Sequence, residues 1–120
     1  MPQITIDYSN LVADAFDREG FARELHEATV AIAAAKPEAC KTQFRPSACT
    51  VFGYEDPGAH GHAIVHVTIG LLAGRSDETK AKLTETTLEL LRRHVADEGI
   101  TLHASAEVRD LDASYRKFDR

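Results

Sequence analysis

Two short motifs place groups where they could do acid–base chemistry or bind an anion. Met1-Pro2 comes directly before an alternating segment that begins at Gln3. An initiator methionine is commonly removed before a small second residue, and its removal would leave Pro2 with a free secondary amine. A free α-amino group titrates near about 7.7–8.0, and burial or a nearby cation lowers such a pKa. Pro2 would then be a neutral general base at pH 7, although Met-Pro also begins many chains in which it has no role.

The second motif is Ala73-Gly74-Arg75-Ser76. It joins a predicted buried strand to the start of a predicted helix, where backbone N–H groups and the positive end of the helix dipole favour an anion. Arg75 adds a bidentate donor for a carboxylate. The alternative interpretation is an arginine in a solvated loop.

Histidines and cysteines are the remaining candidates, for a metal or a redox site. His60, His62 and His66 form H-x-H-x3-H, and positions 62 and 66 share one face of a strand. Cysteines and carboxylates do not cluster beside them at ligand spacing, so we expect ordinary turn and strand histidines and no metal. Cys40 and Cys49 lack CxxC spacing, and we expect both to be free thiols.

The chain around these motifs alternates between strand and helix patterns. Apolar residues at every second position predict strands, and apolar stripes at helical spacing predict helices. We expect Asp14 to cap the first helix, Ser76 to cap the second, and Gly99 to follow the end of the second. The predicted strands cover 3–8, 42–54 (strongest at 50–52), 62–72 and 100–108, the first helix covers 15–36, and a turn falls at 55–58.

This order, β-α-β-β-α-β, predicts one α+β domain over residues 1–120, divided into two β-α-β halves at about 2–54 and 61–108. Parallel strands joined through a helix need right-handed crossovers. The natural packing is a two-layer sandwich, a four-stranded mixed sheet with both helices on one face. The other sheet face is then bare. Because 18 residues are alanine, the core is thin, and we expect burial between subunits of a homo-oligomer.

Charge and hydropathy exclude several classes of protein. The formal net charge is −5, from 14 Lys and Arg against 19 Asp and Glu, which argues against a nucleic-acid surface. Apolar runs are shorter than the roughly 18 residues of a membrane span. The first residues lack the pattern of a signal peptide. We therefore expect a cytoplasmic protein without membrane or nucleic-acid partners.

Three segments carry a resemblance to a known family. M-P-x-I-x-I-x-Y-S-N at the start, V-H-V-T-I-G-L-L-A-G-R-S in the middle and Y-R-K-F near the end are similar to the 5-carboxymethyl-2-hydroxymuconate isomerase family of the tautomerase superfamily. The similarity extends over nearly the whole chain. It implies the duplicated β-α-β fold and a homotrimer whose sheets pack around a central axis.

The resemblance also implies roles for individual residues. Pro2 matches the catalytic proline, which takes a proton from the substrate and returns it elsewhere. Arg75 matches an arginine that binds a substrate carboxylate and steadies the developing enolate. The family has a second arginine before the second strand, where this chain reads C-K-T-Q-F-R-P. Arg45 is the nearest candidate and Lys41 the runner-up, although lysine is a point charge and not a fork.

Together these features predict an isomerase (tautomerase) that moves a proton within an unsaturated 2-hydroxy or 2-oxo polycarboxylic acid such as 5-carboxymethyl-2-hydroxymuconate. The resemblance implies the homoprotocatechuate pathway of aromatic catabolism. No cofactor is expected, because the α-proton of such substrates is already acidic. Three alternatives remain open: a decarboxylase or hydratase that uses the same proline, a non-enzymatic trimeric binding protein with a blocked N-terminus, and a metal protein built on His60, His62 and His66.

Overall fold

A four-stranded sheet and two long helices form the fold, in a computed structural model that describes residues 1–54 and 61–120. The predicted turn at 55–58 and His60 lie outside the described residues. Short 3₁₀ helices at Asn10–Ala15 and Pro37–Ala39 flank the first long helix. In chain order the main elements are β1 (Gln3–Ser9), α1 (Arg18–Ala33), β2 (Lys41–Ser47), β3 (His62–Leu71), α2 (Asp77–His94) and β4 (Thr101–Asp110).

The sheet has the strand order β2-β1-β3-β4. β1 and β2 are parallel, β3 and β4 are parallel, and the central pair β1–β3 is antiparallel. A helix joins the two strands of each parallel pair, since parallel neighbours need a crossover connection. The predicted α+β fold, a mixed four-stranded sheet built from two β-α-β units, is confirmed.

The core lies between the helices and one face of the sheet. Alternate residues of the two central strands point into it, as the period of two requires. α1 contributes Phe21 and Leu25, and α2 contributes Leu83 and Leu91, all fully buried. The strand residues of the core are Ile4, Ile6 and Tyr8 on β1 and Ala63, Val65, Val67, Ile69 and Leu71 on β3.

The opposite face of the sheet is polar. Asp7 of β1 pairs with His66 of β3 on this face, and the His66 ring contacts the Glu107 carboxylate of β4 at 2.9 Å. Within residues 1–54 and 61–120, no helix covers this face. The expectation that other subunits cover it stays a prediction, and the side chains on it favour a hydrated or hydrogen-bonded contact over an apolar one.

The first helix begins later than the sequence pattern predicts. α1 starts at Arg18, and its cap is Asp17, whose carboxylate accepts a hydrogen bond from the Gly20 N–H at 3.1 Å. The prediction that Asp14 caps this helix is wrong, because residues 10–15 form a separate 3₁₀ helix. A β-bridge between Phe16 and Val95 then fixes the chain in extended form just before the cap.

The second strand and the end of the second helix also differ from prediction. β2 occupies Lys41–Ser47 and does not include residues 50–52, where the strand pattern is strongest, because it pairs residue for residue with the seven residues of β1. Pro46 is tolerated since β2 is an edge strand. The Ser76 cap of α2 is confirmed, its hydroxyl accepting from the Thr79 N–H at 3.1 Å. Gly99 does not follow the helix end, since α2 stops at His94 and Gly99 adopts φ 80° four residues after the cap residue.

None of the helices in the described parts of the chain combines the length and the apolar character needed to cross a membrane.

Candidate active site

Pro2 lies at one end of the sheet, immediately before the central strand β1. Its side chain is buried, and its carbonyl accepts a hydrogen bond from the Lys41 N–H at 3.3 Å. The next residue, Gln3, pairs with Lys41 on β2 and with Gly70 on β3. Pro2 is therefore held between the beginning of β2 and the end of β3.

The amino terminus at this position has an altered acidity. The Met1 amine donates to the Ala39 carbonyl at 3.2 Å. Burial lowers the pKa of this amine most, and the positive charges of Lys41 and Lys117 lower it further. An amine at this end of the sheet thus gives up its proton more readily than one in water.

The two candidates for the second carboxylate contact lie in different places on β2. Lys41 begins the strand beside Pro2. Arg45 lies four residues further along, about 13 Å away at the rise of an extended strand. Its guanidinium donates to both carboxylate oxygens of Asp7 on β1, at 2.8 and 3.1 Å, in an exposed pair. The structure brings Lys41 to the Pro2 end of the sheet and leaves Arg45 near its middle.

Arg75 follows β3 and returns to the same end of the sheet. Its Nε and Nη2 atoms donate to the Ala33 carbonyl at 3.1 and 2.9 Å, and Nη1 donates to the Leu72 carbonyl at 3.1 Å. Ala33 is the last residue of α1, so a fixed cation meets the negative end of that helix. These contacts use three of the five guanidinium N–H donors, and two remain for a carboxylate.

The segment that contains the Y-R-K-F motif crosses the same end of the sheet, although the sequence analysis assigned none of its residues to the site. The Leu111 N–H donates to the Leu71 carbonyl at 2.7 Å. Further along, the Tyr115 hydroxyl accepts from Gln3 Nε2 at 3.3 Å, and Lys117 forms an ion pair with Asp119. The available sequence signal was the Y-R-K-F motif itself.

Three histidines, His62, His66 and His103, form two hydrogen-bonded clusters on the polar sheet face. His62 Nδ1 lies 2.9 Å from His103 Nε2. His66 contacts the Ser105 hydroxyl at 2.7 Å and the Glu107 carboxylate at 2.9 Å. Across residues 1–54 and 61–120, no three His, Cys, Asp or Glu side chains converge as metal ligands would.

A separate cleft lies at the opposite end of the sheet from Pro2. Its volume is about 170 Å³, and its walls include Ser9, Ser47, Cys49 and Thr50. The Ser9 hydroxyl is hydrogen-bonded to Thr50 Oγ1 at 2.9 Å and accepts from the Ile64 N–H at 2.9 Å. These hydrogen bonds of Ser9 connect the loop after β2, at Thr50, to β3.

Comparison by sequence identifies no matching family model and no matching curated protein. Comparison by structure identifies many related folds. The fold is that of the tautomerase-like α+β proteins, in which two β-α-β units share one mixed sheet.

Within that class the chain is similar to a 5-carboxymethyl-2-hydroxymuconate isomerase from Deinococcus radiodurans R1. The TM-score is 0.78 at 20% identity, over 98% of this chain and 90% of that one. A macrophage migration inhibitory factor from Oncomelania hupensis gives 0.71 at 13% identity, with 99% and 80% covered. A fused 4-OT described as a symmetric trimer gives 0.70 at 20% identity, with 91% and 85% covered. The resemblance seen in the sequence motifs is confirmed at the level of the fold.

Proposed function

We propose that the protein is an isomerase of the tautomerase type, which moves a proton within an unsaturated 2-hydroxy or 2-oxo polycarboxylic acid such as 5-carboxymethyl-2-hydroxymuconate. The observation that carries the proposal is the position of Pro2. It is buried before β1, at an end of the sheet where burial first, and then Lys41 and Lys117, lower the pKa of the Met1 amine. The similar isomerase structure from Deinococcus radiodurans R1 supports the same reaction class.

In this proposal the Pro2 nitrogen is the acid and base, once Met1 has been removed. The neutral amine takes a proton from the dienol oxygen or allylic carbon of the substrate, and the electron pair shifts into the conjugated system. The resulting ammonium returns the proton to another carbon, so atoms and charge balance over the cycle. Arg75 binds one carboxylate through its two remaining donors and stabilises the developing enolate charge. Lys41 or Arg45 supplies the second carboxylate contact.

We further propose a cytoplasmic homotrimer that acts in homoprotocatechuate breakdown. The uncovered polar face of the sheet supports assembly, since a trimer would enclose it around a central axis. The similarity to a structure described as a symmetric trimer supports the same arrangement. Sedimentation of the intact protein tests it directly, with a single folded protomer at micromolar concentration as the contrary result.

Three matched protein samples test the role of Pro2: Met1-free wild type, wild type with Met1 retained, and Met1-free Pro2→Ala. Intact mass defines each N-terminus. We expect isomerase turnover in the first sample and none in the second, because an acylated proline nitrogen is an amide without a basic lone pair. Pro2→Ala should lose about 10²-fold or more of kcat/KM, the ordinary contribution of a general acid–base group. Full activity in either altered sample would remove Pro2 from the mechanism.

A panel of unsaturated oxo acids separates the isomerase from the other activities of the same proline. Product analysis distinguishes a shifted double bond from loss of CO₂ or gain of water. Turnover only by decarboxylation or hydration would replace the proposed reaction while keeping the site. Absence of turnover on every acid would favour a binding protein.

A further inference from the structure

The last ten residues of the chain form a strap across the Pro2 end of the sheet; we name residues 111–120 the C-terminal strap. Leu111 sits over Gly70 of β3, where an added Cβ would lie 2.8 Å from Leu111 Cδ2. Tyr115 then reaches Gln3 of β1. The strap therefore passes from β4 over β3 to β1, following the spatial order of the strands.

The end of the strap brings charge to the beginning of β2. Lys117 pairs with Asp119, and both act on groups at the Pro2 end. Burial lowers the pKa of the Met1 amine most, the positive charge of Lys41 lowers it next, and that of Lys117 lowers it further. The pKa of the Asp119 carboxyl is lowered by Lys117 first, and by Lys41 and the amino terminus as well. Gln3, which Tyr115 contacts, follows Pro2 and pairs with Lys41, so the Lys117–Asp119 pair comes within four residues of a contact at the beginning of β2.

We propose that Lys117 and Lys41 together bind one carboxylate of the substrate beside Pro2, and that Asp119 occupies Lys117 until that carboxylate displaces it. The inference rests on the proposed function for the identity of the substrate. The strap is then a specificity element, and its own Asp119 is an internal competitor.

The charges and exposure of the three groups fit this exchange. The Lys117 and Asp119 side chains are 55% and 64% exposed, so a ligand can reach the ion pair and Asp119 can move away into water. An exposed ion pair contributes at most about 1 kcal/mol of stabilisation. A substrate carboxylate that meets Lys117 and Lys41 at once faces two cations where Asp119 has one direct partner.

The test uses Met1-free protein and the saturated dicarboxylate glutarate as the probe, because it carries charge without a reactive double bond. We expect Lys117→Met to weaken glutarate binding about tenfold, as loss of a charged hydrogen-bonding partner does. Asp119→Asn should tighten binding about twofold to fivefold, because the internal competitor is gone. Lys117→Arg should restore most of the affinity. KM for a polycarboxylate substrate should rise in Lys117→Met and fall in Asp119→Asn.

Matched controls on α2 make the same two changes of charge at positions outside the strap. Lys82 and Glu85 are exposed there, and Lys82→Met and Glu85→Gln should bind glutarate as wild type does. The inference is overturned if Lys117→Met equals Lys82→Met, if Asp119→Asn binds more weakly than wild type, or if glutarate does not bind the wild type.

Failure of this inference and failure of the proposed function give different results. If wild type isomerises, Pro2→Ala does not, and Lys117→Met is unaffected in KM, the strap inference alone is wrong. If the glutarate series behaves as expected while every sample lacks turnover, the anion site stands and the proposed reaction is wrong.

Discussion

Replacing Arg75 by methionine should destabilise the folded protein in the absence of any substrate. In the structure the Arg75 guanidinium binds the last carbonyl of α1, at Ala33, through two nitrogens, and the Leu72 carbonyl through a third. We assign about 1.5 kcal/mol to the charged contact with Ala33 and about 0.5 kcal/mol to the more exposed one with Leu72. The cation at the negative helix end adds about 0.5 kcal/mol. The expected loss is about 2.5 kcal/mol.

Equilibrium denaturation in urea at one fixed protomer concentration measures this loss, because stability depends on concentration in an oligomer. For a chain of this length the loss corresponds to a fall in Tm of about 10 °C. Arg45→Met is the matched control, since its exposed pair with Asp7 contributes at most about 1 kcal/mol. An Arg75→Met protein within about 0.5 kcal/mol of wild type would refute the claim that backbone carbonyls position this side chain.

Two further predictions concern α1, one on its backbone conformation and one on the titration of His26. Ala34 ends the helix with φ 56°, a left-handed conformation that costs a non-glycine residue about 1–2 kcal/mol. Glycine removes this cost but gains freedom in the unfolded chain, so Ala34→Gly should raise the free energy of unfolding by a net of about 0.5 kcal/mol. Ala31→Gly, at an exposed position inside the same helix, should lower the free energy of unfolding by about 1 kcal/mol. If urea denaturation shows both substitutions changing stability in the same direction, the assignment of backbone strain to Ala34 is wrong. Burial lowers the pKa of His26, which bonds Thr42 Oγ1 at 2.7 Å. The unfolded chain therefore binds a proton at a higher pH than the folded chain does, so the free energy of unfolding should fall as pH drops below about 6.5. His26→Gln should reduce this pH dependence, and a dependence equal to that of wild type would contradict the assignment.

The elements that local pattern determines were predictable from the sequence. β1 and β3 alternate or run apolar without interruption, and Ser76 has a hydroxyl at the one position where a helix cap needs it. β2 was misplaced because its position depends on its partner: seven residues of β1 can pair with only seven, and these are Lys41–Ser47. Thr50, Val51 and Phe52 have local strand propensity but lie beyond the seven residues that pair with β1.

The candidate site was predictable only in part for a similar reason. Pro2 and Arg75 lie in short motifs, and the structure places both at one end of the sheet. The contact between Arg75 and Ala33 joins residues 42 positions apart, and that between Gln3 and Tyr115 joins residues 112 apart. Only tertiary packing creates such contacts, so no spacing in the sequence indicates them.

The cations at the Pro2 end differ in how firmly they are held, and that difference bears on substrate selection. Arg75 is fixed by two backbone carbonyls and offers its remaining N–H groups in a planar fork. Lys41 and Lys117 are point charges on flexible stems, without the paired donors of an arginine. In the proposed reaction, directional binding would belong to Arg75, which would orient one carboxylate relative to Pro2. The lysines would contribute charge without direction, attracting a second carboxylate while tolerating variation in its position. Arg45 is bonded to Asp7 in the middle of the sheet. It would have to break this bidentate pair before it could bind or attract a substrate carboxylate.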